Sequence, residues 1–340
     1  MNKCIEKAIL EFENRNEIQI DNYYCNQRSQ DKQKDNYIGK DIFYGRIEEW
    51  LEICSNDIER KYLLELLEEY LYFPQDRFNK EIEQLIERLK DEGIDIGKAL
   101  FVTFPSKKGV ASGGDNISVA LTIATMGIVN KENIITDVER ATEDLLKRIP
   151  KYKYIVFMDD VIGSGRTLNN NVKTFVDRFS FDKGVVFYIT YLCGREKKIH
   201  KKIKQFSKWY KNEFREIVLF PMKKCLYESE KKDKEQRIKN VCNIERKIEK
   251  YAIEDRDKTF FMGFEKNQLL VSFYYNTPNN TLSLFWRPTS VSVPLFIRSS
   301  YKRPTINDCR RNKQQLVKNA YERGKRKNDI HDSSAASFIY

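Results

Sequence analysis

Two adjacent carboxylates, Asp159 and Asp160, stand between a short apolar run and a loop of small residues. The run is IVFM at 155–158, and the loop is GSG at 163–165. Such a loop can turn successive backbone N–H groups inward and bind an anion. The acidic pair would repel that anion, but it can accept hydrogen bonds from a diol or hold hydrated Mg²⁺. A phosphate beside a diol describes a ribose 5-phosphate.

The flanking elements must bring this loop and the acidic pair to one edge. Residues 155–158 are apolar and rich in β-branched and aromatic side chains, which predicts a strand buried on both faces of a parallel sheet. Ligands bind at the carboxyl ends of such strands. A helical pattern begins at Leu168, so the positive end of a helix near Thr167 would face the same point.

Two other interpretations of this stretch can be weighed against an anion site. The string could simply end a strand and cap a helix, with Ser164 or Thr167 as the N-cap residue. A Walker A loop is excluded, because residues 163–167 lack both its spacing and its lysine.

The ordered string YIVFMDDVIGSGRT at 154–167 resembles the phosphoribosyl pyrophosphate (PRPP) signature of type I phosphoribosyltransferases. The resemblance implies that Asp159 and Asp160 hold the ribose hydroxyls and serve in catalysis. It implies that the 5-phosphate is bound by five consecutive residues, Gly163, Ser164, Gly165, Arg166 and Thr167. The family usually has a hydroxyl residue where Gly163 stands.

A second strand, loop and helix unit lies upstream, with a strand at 99–104 and a helix at 117–126. In the resembled family the loop after such a strand holds the pyrophosphate. The matching positions are Ser106, Lys107, Lys108 and Gly109. The other interpretation is an ordinary loop with two solvated lysines. The family also implies Mg²⁺, held through the pyrophosphate and ribose of the substrate and not by a direct protein site.

Strands and helices alternate along the middle of the chain, which predicts an α/β fold with a doubly wound, mostly parallel sheet. The pattern over 41–93 is helical throughout and predicts three helices, whereas 138–153 predicts a helix where the family often has a mobile loop. We therefore divide the chain into an N-terminal helical region, an α/β core, a helix with a hood segment, and a basic tail. Their bounds are 1–95, 96–225, 226–300 and 301–340.

The hood segment contains a turn at 276–281 followed by an apolar run. Such a segment could close over a nucleobase or another acceptor, with Asn279, Asn280 and Trp286 facing it. Packing in the core is the other interpretation of Trp286.

The 340-residue chain has a formal net charge of +11, which favours an acidic partner such as nucleic acid, a phosphorylated small molecule or an acidic protein. Residues 296–340 contain eleven Lys or Arg and four Asp or Glu, and the predicted helix at 195–211 has eight basic residues and one Glu. Both segments could bind nucleic acid or a nucleoprotein, although a basic helix can equally be a solvated face.

The seven cysteines form no C-x-x-C pair and only two histidines are present, so we expect free thiols and no zinc site. The sequence shows neither a secretory signal nor an apolar run long enough to span a membrane. We expect a cytoplasmic protein without a membrane partner.

The helical N-terminus, DDVIGSGRT and NTPNNTLSLFW together resemble the phosphoribosyltransferase-like effectors of bacterial conflict and anti-phage systems, including some retron operons. This resemblance implies a defence role and a nucleoprotein partner such as a reverse transcriptase complex. Two functional hypotheses follow. The first is a glycosyltransferase that uses PRPP, and the second is a nucleotide- or nucleic-acid-binding scaffold that keeps the fold with reduced catalysis.

Overall fold

The computed structural model describes residues 2–20, 40–104, 113–125, 128–129, 131–136, 138, 152–179, 181, 184–253, 259–296 and 298. Several predictions concern residues outside these ranges. They are the loop with Ser106, Lys107, Lys108 and Gly109, most of the helix predicted at 138–153, and the basic tail at 301–340.

The helices and strands are numbered in chain order. They are α1 (Asn2–Asn16), α2 (Lys40–Leu51), α3 (Asp57–Glu68), β1 (Leu71–Phe73), α4 (Gln75–Asp91), β2 (Ala99–Thr103), α5 (Gly113–Ala124), β3 (Ile134–Ile135), β4 (Tyr154–Ile162), α6 (Arg166–Arg178), β5 (Val186–Arg195), α7 (Glu196–Tyr210), β6 (Glu213–Met222), α8 (Lys234–Tyr251) and β7 (Val271–Phe273). Short 3-10 turns include Phe264–Lys266 and Ser283–Phe285.

The described residues form a five-stranded sheet in the order β3-β2-β4-β5-β6, and each pair of neighbours is parallel. This architecture confirms the predicted α/β class. The chain passes from β2 outward to β3 and then returns to β4 on the other side of β2. The carboxyl ends of β2 and β4 therefore form the switch point, where open α/β sheets bind ligands.

Alternating side chains of β4 serve two cores, one on each face of the sheet. Val156 and Met158 belong to the cluster that also contains apolar side chains of α4 and α5. Ile155 and Phe157 belong to the cluster on the other face, with apolar side chains of α6 and α7. Because both faces are covered, the strand is apolar throughout until it reaches the acidic pair.

A third core joins the N-terminal helices to the C-terminal segment, which we define as residues 259–296. Apolar side chains of α1, α2, α3 and α8 pack together with this segment. Trp50 of α2 is fully buried, and its indole N–H donates to the Leu284 carbonyl at 2.8 Å. The C-terminal segment is thereby attached to the N-terminal helices while it also extends toward the sheet.

The prediction that 41–93 is helical throughout is wrong at β1. Leu71 and Phe73 pair in parallel with Val271 and Phe273 of β7, so the helix before them ends at Glu68. The buried Asn16 side chain stabilises the extended backbone, because its Oδ1 accepts the Tyr72 N–H at 2.7 Å. The apolar residues at 70–73 fit a helical pattern, but their partners lie about two hundred residues later.

The thiols of five described cysteines are free: Cys4, Cys54, Cys193, Cys225 and Cys242. In the described part of the chain, no helix combines the length and apolar character needed to cross a membrane.

Candidate functional site

The acidic pair lies within the last residues of β4, at the switch point of the sheet. β4 continues to Ile162, so both carboxylates belong to the strand and not to the loop after it. Oδ1 of Asp159 accepts the backbone N–H of Asp160 at 3.0 Å, and Oδ1 of Asp160 accepts that of Val161 at 2.6 Å. These local hydrogen bonds orient both side chains at the carboxyl end of the strand.

Asp160 is buried between the start of α5 and the C-terminal segment. The Tyr275 hydroxyl donates to its Oδ2 at 2.6 Å. A Cβ at Gly113, the first residue of α5, would lie 2.5 Å from the Asp160 carboxyl carbon, so the close approach requires glycine. The positive N-terminal end of α5 thus faces a negative side chain, which is a favourable arrangement.

Burial changes the acidity of the pair. It raises the pKa of Asp159 well above that of a free aspartate, and the neighbouring Asp160 charge raises it further. Burial also raises the pKa of Asp160, although the hydrogen bond from Tyr275 lowers it. Two neighbouring carboxylates, of which Asp160 is buried and Asp159 half-buried, hold a proton more readily than exposed ones do. A ligand that donates hydrogen bonds would favour their ionised form.

The 163–167 loop ends in an α6 helix start that has no side-chain cap. Gly165 is the N-cap residue with φ 75°, and as a glycine it has no side chain that could accept a hydrogen bond from the helix. Ser164 Oγ accepts only the Arg166 N–H, at 3.3 Å, and Thr167 lies inside the helix. The capping interpretation is therefore not observed. Beyond the Arg166 N–H, the first amides of α6 point out of the helix end and can bind an anion.

Lys202 of α7 lies against this loop. Its Cγ and Cε are 3.7 Å from the position that a Cβ on Gly165 would take. Its ammonium donates to the neutral Asn169 Oδ1 at 3.0 Å and Gln205 Oε1 at 3.1 Å. Burial lowers the pKa of Lys202 and neighbouring lysines lower it further. The basic helix α7 therefore places a cation beside the 163–167 loop. The run of basic residues in the sequence did not show which of them would lie there.

The C-terminal segment reaches the loop as well. Arg166 forms an ion pair with Glu265, with 2.7 Å between Nη2 and Oε1, and its guanidinium lies 5.4 Å from the Phe264 ring centre. The Asn280 side chain lies against Gly163, closer than 3.0 Å to where a Cβ would be. With Tyr275 at Asp160, this segment contacts the acidic pair and both ends of the loop.

Trp286 does not face this site. It is fully buried, and its indole N–H donates to the Thr281 carbonyl at 3.0 Å. Its ring packs edge-on against Phe260, with 5.1 Å between ring centres. Of the two interpretations of Trp286, packing in the core is therefore the one observed, and the indole does not cover an acceptor. Of the two asparagines, Asn280 contacts the loop.

The donor set at the acidic pair fits Mg²⁺ only in part. Among the described residues no three His, Cys, Asp or Glu side chains converge on one point. Three of the four carboxylate oxygens in the pair already accept a hydrogen bond. Mg²⁺ prefers six oxygen ligands, so the pair could hold it only together with oxygens of a ligand and water.

A doubly wound parallel sheet with an acidic pair and a glycine loop at its switch point defines a phosphoribosyltransferase-like domain. A family model described as PRTase-CE matches residues 47–298, well over half of the chain. The chain therefore belongs to the PRTase-CE family. This match confirms the predicted phosphoribosyltransferase-like family, while the anti-phage and retron subgroup stays a prediction. A comparison with curated proteins finds no match.

Proposed function

We propose that the chain binds PRPP or a related ribose phosphate and transfers or cleaves at the ribose C1. The observation that supports this proposal most is the shared position of the acidic pair and the uncapped 163–167 loop. Both lie at the carboxyl end of β4, beside β2 at the switch point. This edge of the sheet thus offers hydrogen-bond acceptors for a diol and hydrogen-bond donors for a phosphate. The two sets of groups are only a few residues apart in the chain.

Each part of the site has a defined task in this proposal. Asp159 and Asp160 accept hydrogen bonds from the ribose 2′- and 3′-hydroxyls and orient the sugar. The first amides of α6, the hydroxyls of Ser164 and Thr167, and the Arg166 guanidinium bind the 5-phosphate. Fixing both ends of the ribose positions C1 for attack by an acceptor, which is the main contribution that such a site can make.

The leaving group would be pyrophosphate, released as the bond at C1 breaks. Mg²⁺ held at Asp159 and Asp160, together with ligand and water oxygens, would supply positive charge that stabilises this leaving group. Four residues are proposed to hold the pyrophosphate, and they lie outside the described part of the chain: Ser106, Lys107, Lys108 and Gly109.

The test is the double variant Asp159→Ala with Asp160→Ala, with Asp159→Asn and Asp160→Asn as the isosteric version. We expect PRPP to raise the melting temperature of the wild-type chain and pyrophosphate to be released in the presence of Mg²⁺. Both effects are expected to disappear in the double variants. Asp177→Ala is the matched control, because Asp177 is an exposed acid on α6. Wild-type behaviour of the double variants would contradict the site.

The biological setting that we propose is a bacterial anti-phage system, in which the chain is the effector. The resemblance of its sequence to such effectors supports this setting. Expression of the wild-type chain is then expected to inhibit growth when its activating partner is present, and the double variant is expected to be harmless. Equal toxicity of the two would count against an effector that acts through this site.

The alternative is a scaffold with reduced catalysis that binds nucleic acid or a nucleoprotein, for example a reverse transcriptase complex. The surface of α7 favours it. Four exposed lysines of this helix have no carboxylate within ion-pair distance among the described residues: Lys198, Lys201, Lys204 and Lys208. Trp209 beside them is 51% exposed. Lysines beside an exposed aromatic ring can bind single-stranded nucleic acid, because the lysines contact its phosphates and the ring stacks on a base.

Purification distinguishes the two hypotheses. Nucleic acid that co-purifies with the chain and raises its absorbance ratio, without a melting shift by PRPP, would favour the scaffold. A melting shift by PRPP with clean protein would favour the transferase.

A further inference from the structure

The side chain of Asn280 occupies the space that a side chain at position 163 would need. A Cβ built on Gly163 would lie less than 3.0 Å from Cγ, Nδ2 and Oδ1 of Asn280. Distances this short are not tolerated, so glycine at 163 and the amide of Asn280 depend on each other. The amide is therefore held against the first residue of the 163–167 loop.

The backbone around Asn280 is fixed from two sides. Its carbonyl accepts the Leu269 N–H at 3.1 Å, and the preceding carbonyl of Asn279 accepts the Phe264 N–H at 2.7 Å. Gly263, with φ 74°, lies so close to the Asn280 carbonyl that a Cβ there would overlap it. These contacts make Asn280 a preorganised neighbour of the loop.

The side chain of Asn280 has hydrogen-bonding capacity to offer a ligand. It is half-buried, and its one hydrogen bond within the described ranges runs from Nδ2 to the Phe264 carbonyl at 3.4 Å, near the outer limit for such a bond. An amide has two N–H donors and a carbonyl acceptor. The second N–H of Nδ2 is thus available beside the first residue of the loop.

We propose that Asn280 is a binding residue of the site and donates through Nδ2 to a phosphate oxygen of the ligand in the 163–167 loop. This inference rests on the proposed function, because it assumes that the loop holds a phosphate. A neutral amide suits the position, since it donates without an added charge where Arg166 and Lys202 already supply cations. The glycine at 163 then makes room for a donor that comes from the C-terminal segment.

The test is an exchange of the two side chains. Four forms are compared: wild type, Asn280→Gly, Gly163→Ser, and the double variant. The ligand is ribose 5-phosphate, titrated calorimetrically, and the melting temperature without ligand reports stability. Asn279→Gly is the matched control, because Asn279 contributes its backbone carbonyl to the same turn.

We expect Asn280→Gly to weaken ribose 5-phosphate binding about tenfold, the loss of one hydrogen bond to a charged group. Gly163→Ser alone is expected to lower the melting temperature, because the new Cβ overlaps Asn280. The double variant is expected to recover the melting temperature and part of the affinity, since the serine hydroxyl takes the place of the amide. Asn279→Gly is expected to bind as the wild type does.

Two results would overturn the inference while the proposed function stands. One is wild-type affinity in Asn280→Gly with a lowered melting temperature, which would make Asn280 a packing residue only. The other is a double variant that regains stability but binds no more tightly than Asn280→Gly. No binding of ribose 5-phosphate by the wild-type chain would instead refute the proposed function, and this inference with it.

Discussion

Replacement of Glu245 by glutamine is expected to flatten the pH dependence of stability. Glu245 lies on α8 and is fully buried. Its Oε2 accepts the Ser283 hydroxyl at 2.7 Å and the Met262 N–H at 2.9 Å, and its Oε1 accepts the Leu284 N–H at 2.9 Å. This carboxylate attaches α8 to the segment that contacts the candidate site.

The size of the effect follows from the pKa of Glu245. Burial raises this pKa from 4.5 to about 7, although the three hydrogen bonds lower it in part. Because the pKa of Glu245 is higher in the folded state, the protonated carboxyl stabilises the fold. This contribution to the free energy of unfolding is complete below pH 4.5, the unfolded-state pKa, and is lost as the pH rises through about 7. At about 1.4 kcal/mol for each pKa unit, the rise from 4.5 to about 7 corresponds to a loss of about 3 kcal/mol in the free energy of unfolding. For a chain of 340 residues, that is a fall in melting temperature of about 4 °C.

Thermal unfolding between pH 5 and pH 8 is the assay, and the slope of melting temperature against pH is the measured quantity. Glutamine places an N–H₂ group near the Met262 N–H, which lowers stability by a similar amount at every pH and leaves the slope interpretable. Asp159→Asn with Asp160→Asn is measured in parallel, because the pKa values of both carboxyl groups are also raised in the folded state. A slope in Glu245→Gln equal to that of the wild type would refute the reasoning.

Three further predictions concern contacts at the site. Glu265→Gln releases Arg166 from its ion pair, so ribose 5-phosphate is expected to bind about threefold more tightly in a calorimetric titration; weaker binding would show that Glu265 positions Arg166 for the ligand. Tyr275→Phe leaves the buried Oδ2 of Asp160 without its donor, and the free energy of unfolding is expected to fall by about 1–3 kcal/mol in urea; an unchanged value would contradict that hydrogen bond. Lys202→Met is expected to weaken phosphate binding severalfold at low salt and less at high salt. If the variant bound phosphate as tightly as the wild type does at both salt concentrations, Lys202 would not be part of the site.

The central sheet and the position of the acidic pair were predictable because their signals are local. The run Ile155 to Met158 is apolar because both faces of β4 are covered, and alternating strands and helices then determine the doubly wound class. The start of α6 at Arg166 follows the small residues of the loop. In each case neighbours in the sequence are also neighbours in space.

The contacts made by the C-terminal segment were not predictable from local patterns. Glu265 lies 99 residues after Arg166, and Tyr275 lies 115 residues after Asp160. Nothing in the spacing of these residues relates them to the loop or to the acidic pair. The strand at Leu71–Phe73 was mistaken for helix for the same reason, since it is extended only because β7 pairs with it.

The glycine at 163 illustrates the limit most clearly. In the sequence it is a departure from the usual hydroxyl residue of the resembled family. In the structure its missing side chain leaves room for Asn280, which arrives from a different part of the chain. A single position in a motif therefore cannot be interpreted without the element that packs against it.

The most direct test of the central claim is a calorimetric comparison of ribose 5-phosphate, ribose and inorganic phosphate as ligands of the wild-type chain and of Asp159→Asn with Asp160→Asn. If one edge of the sheet holds both the diol and the phosphate, ribose 5-phosphate binds the wild type at least tenfold more tightly than phosphate does. In the double variant the two ligands then bind about equally. Equal affinity for ribose 5-phosphate and phosphate in the wild-type chain would contradict the account.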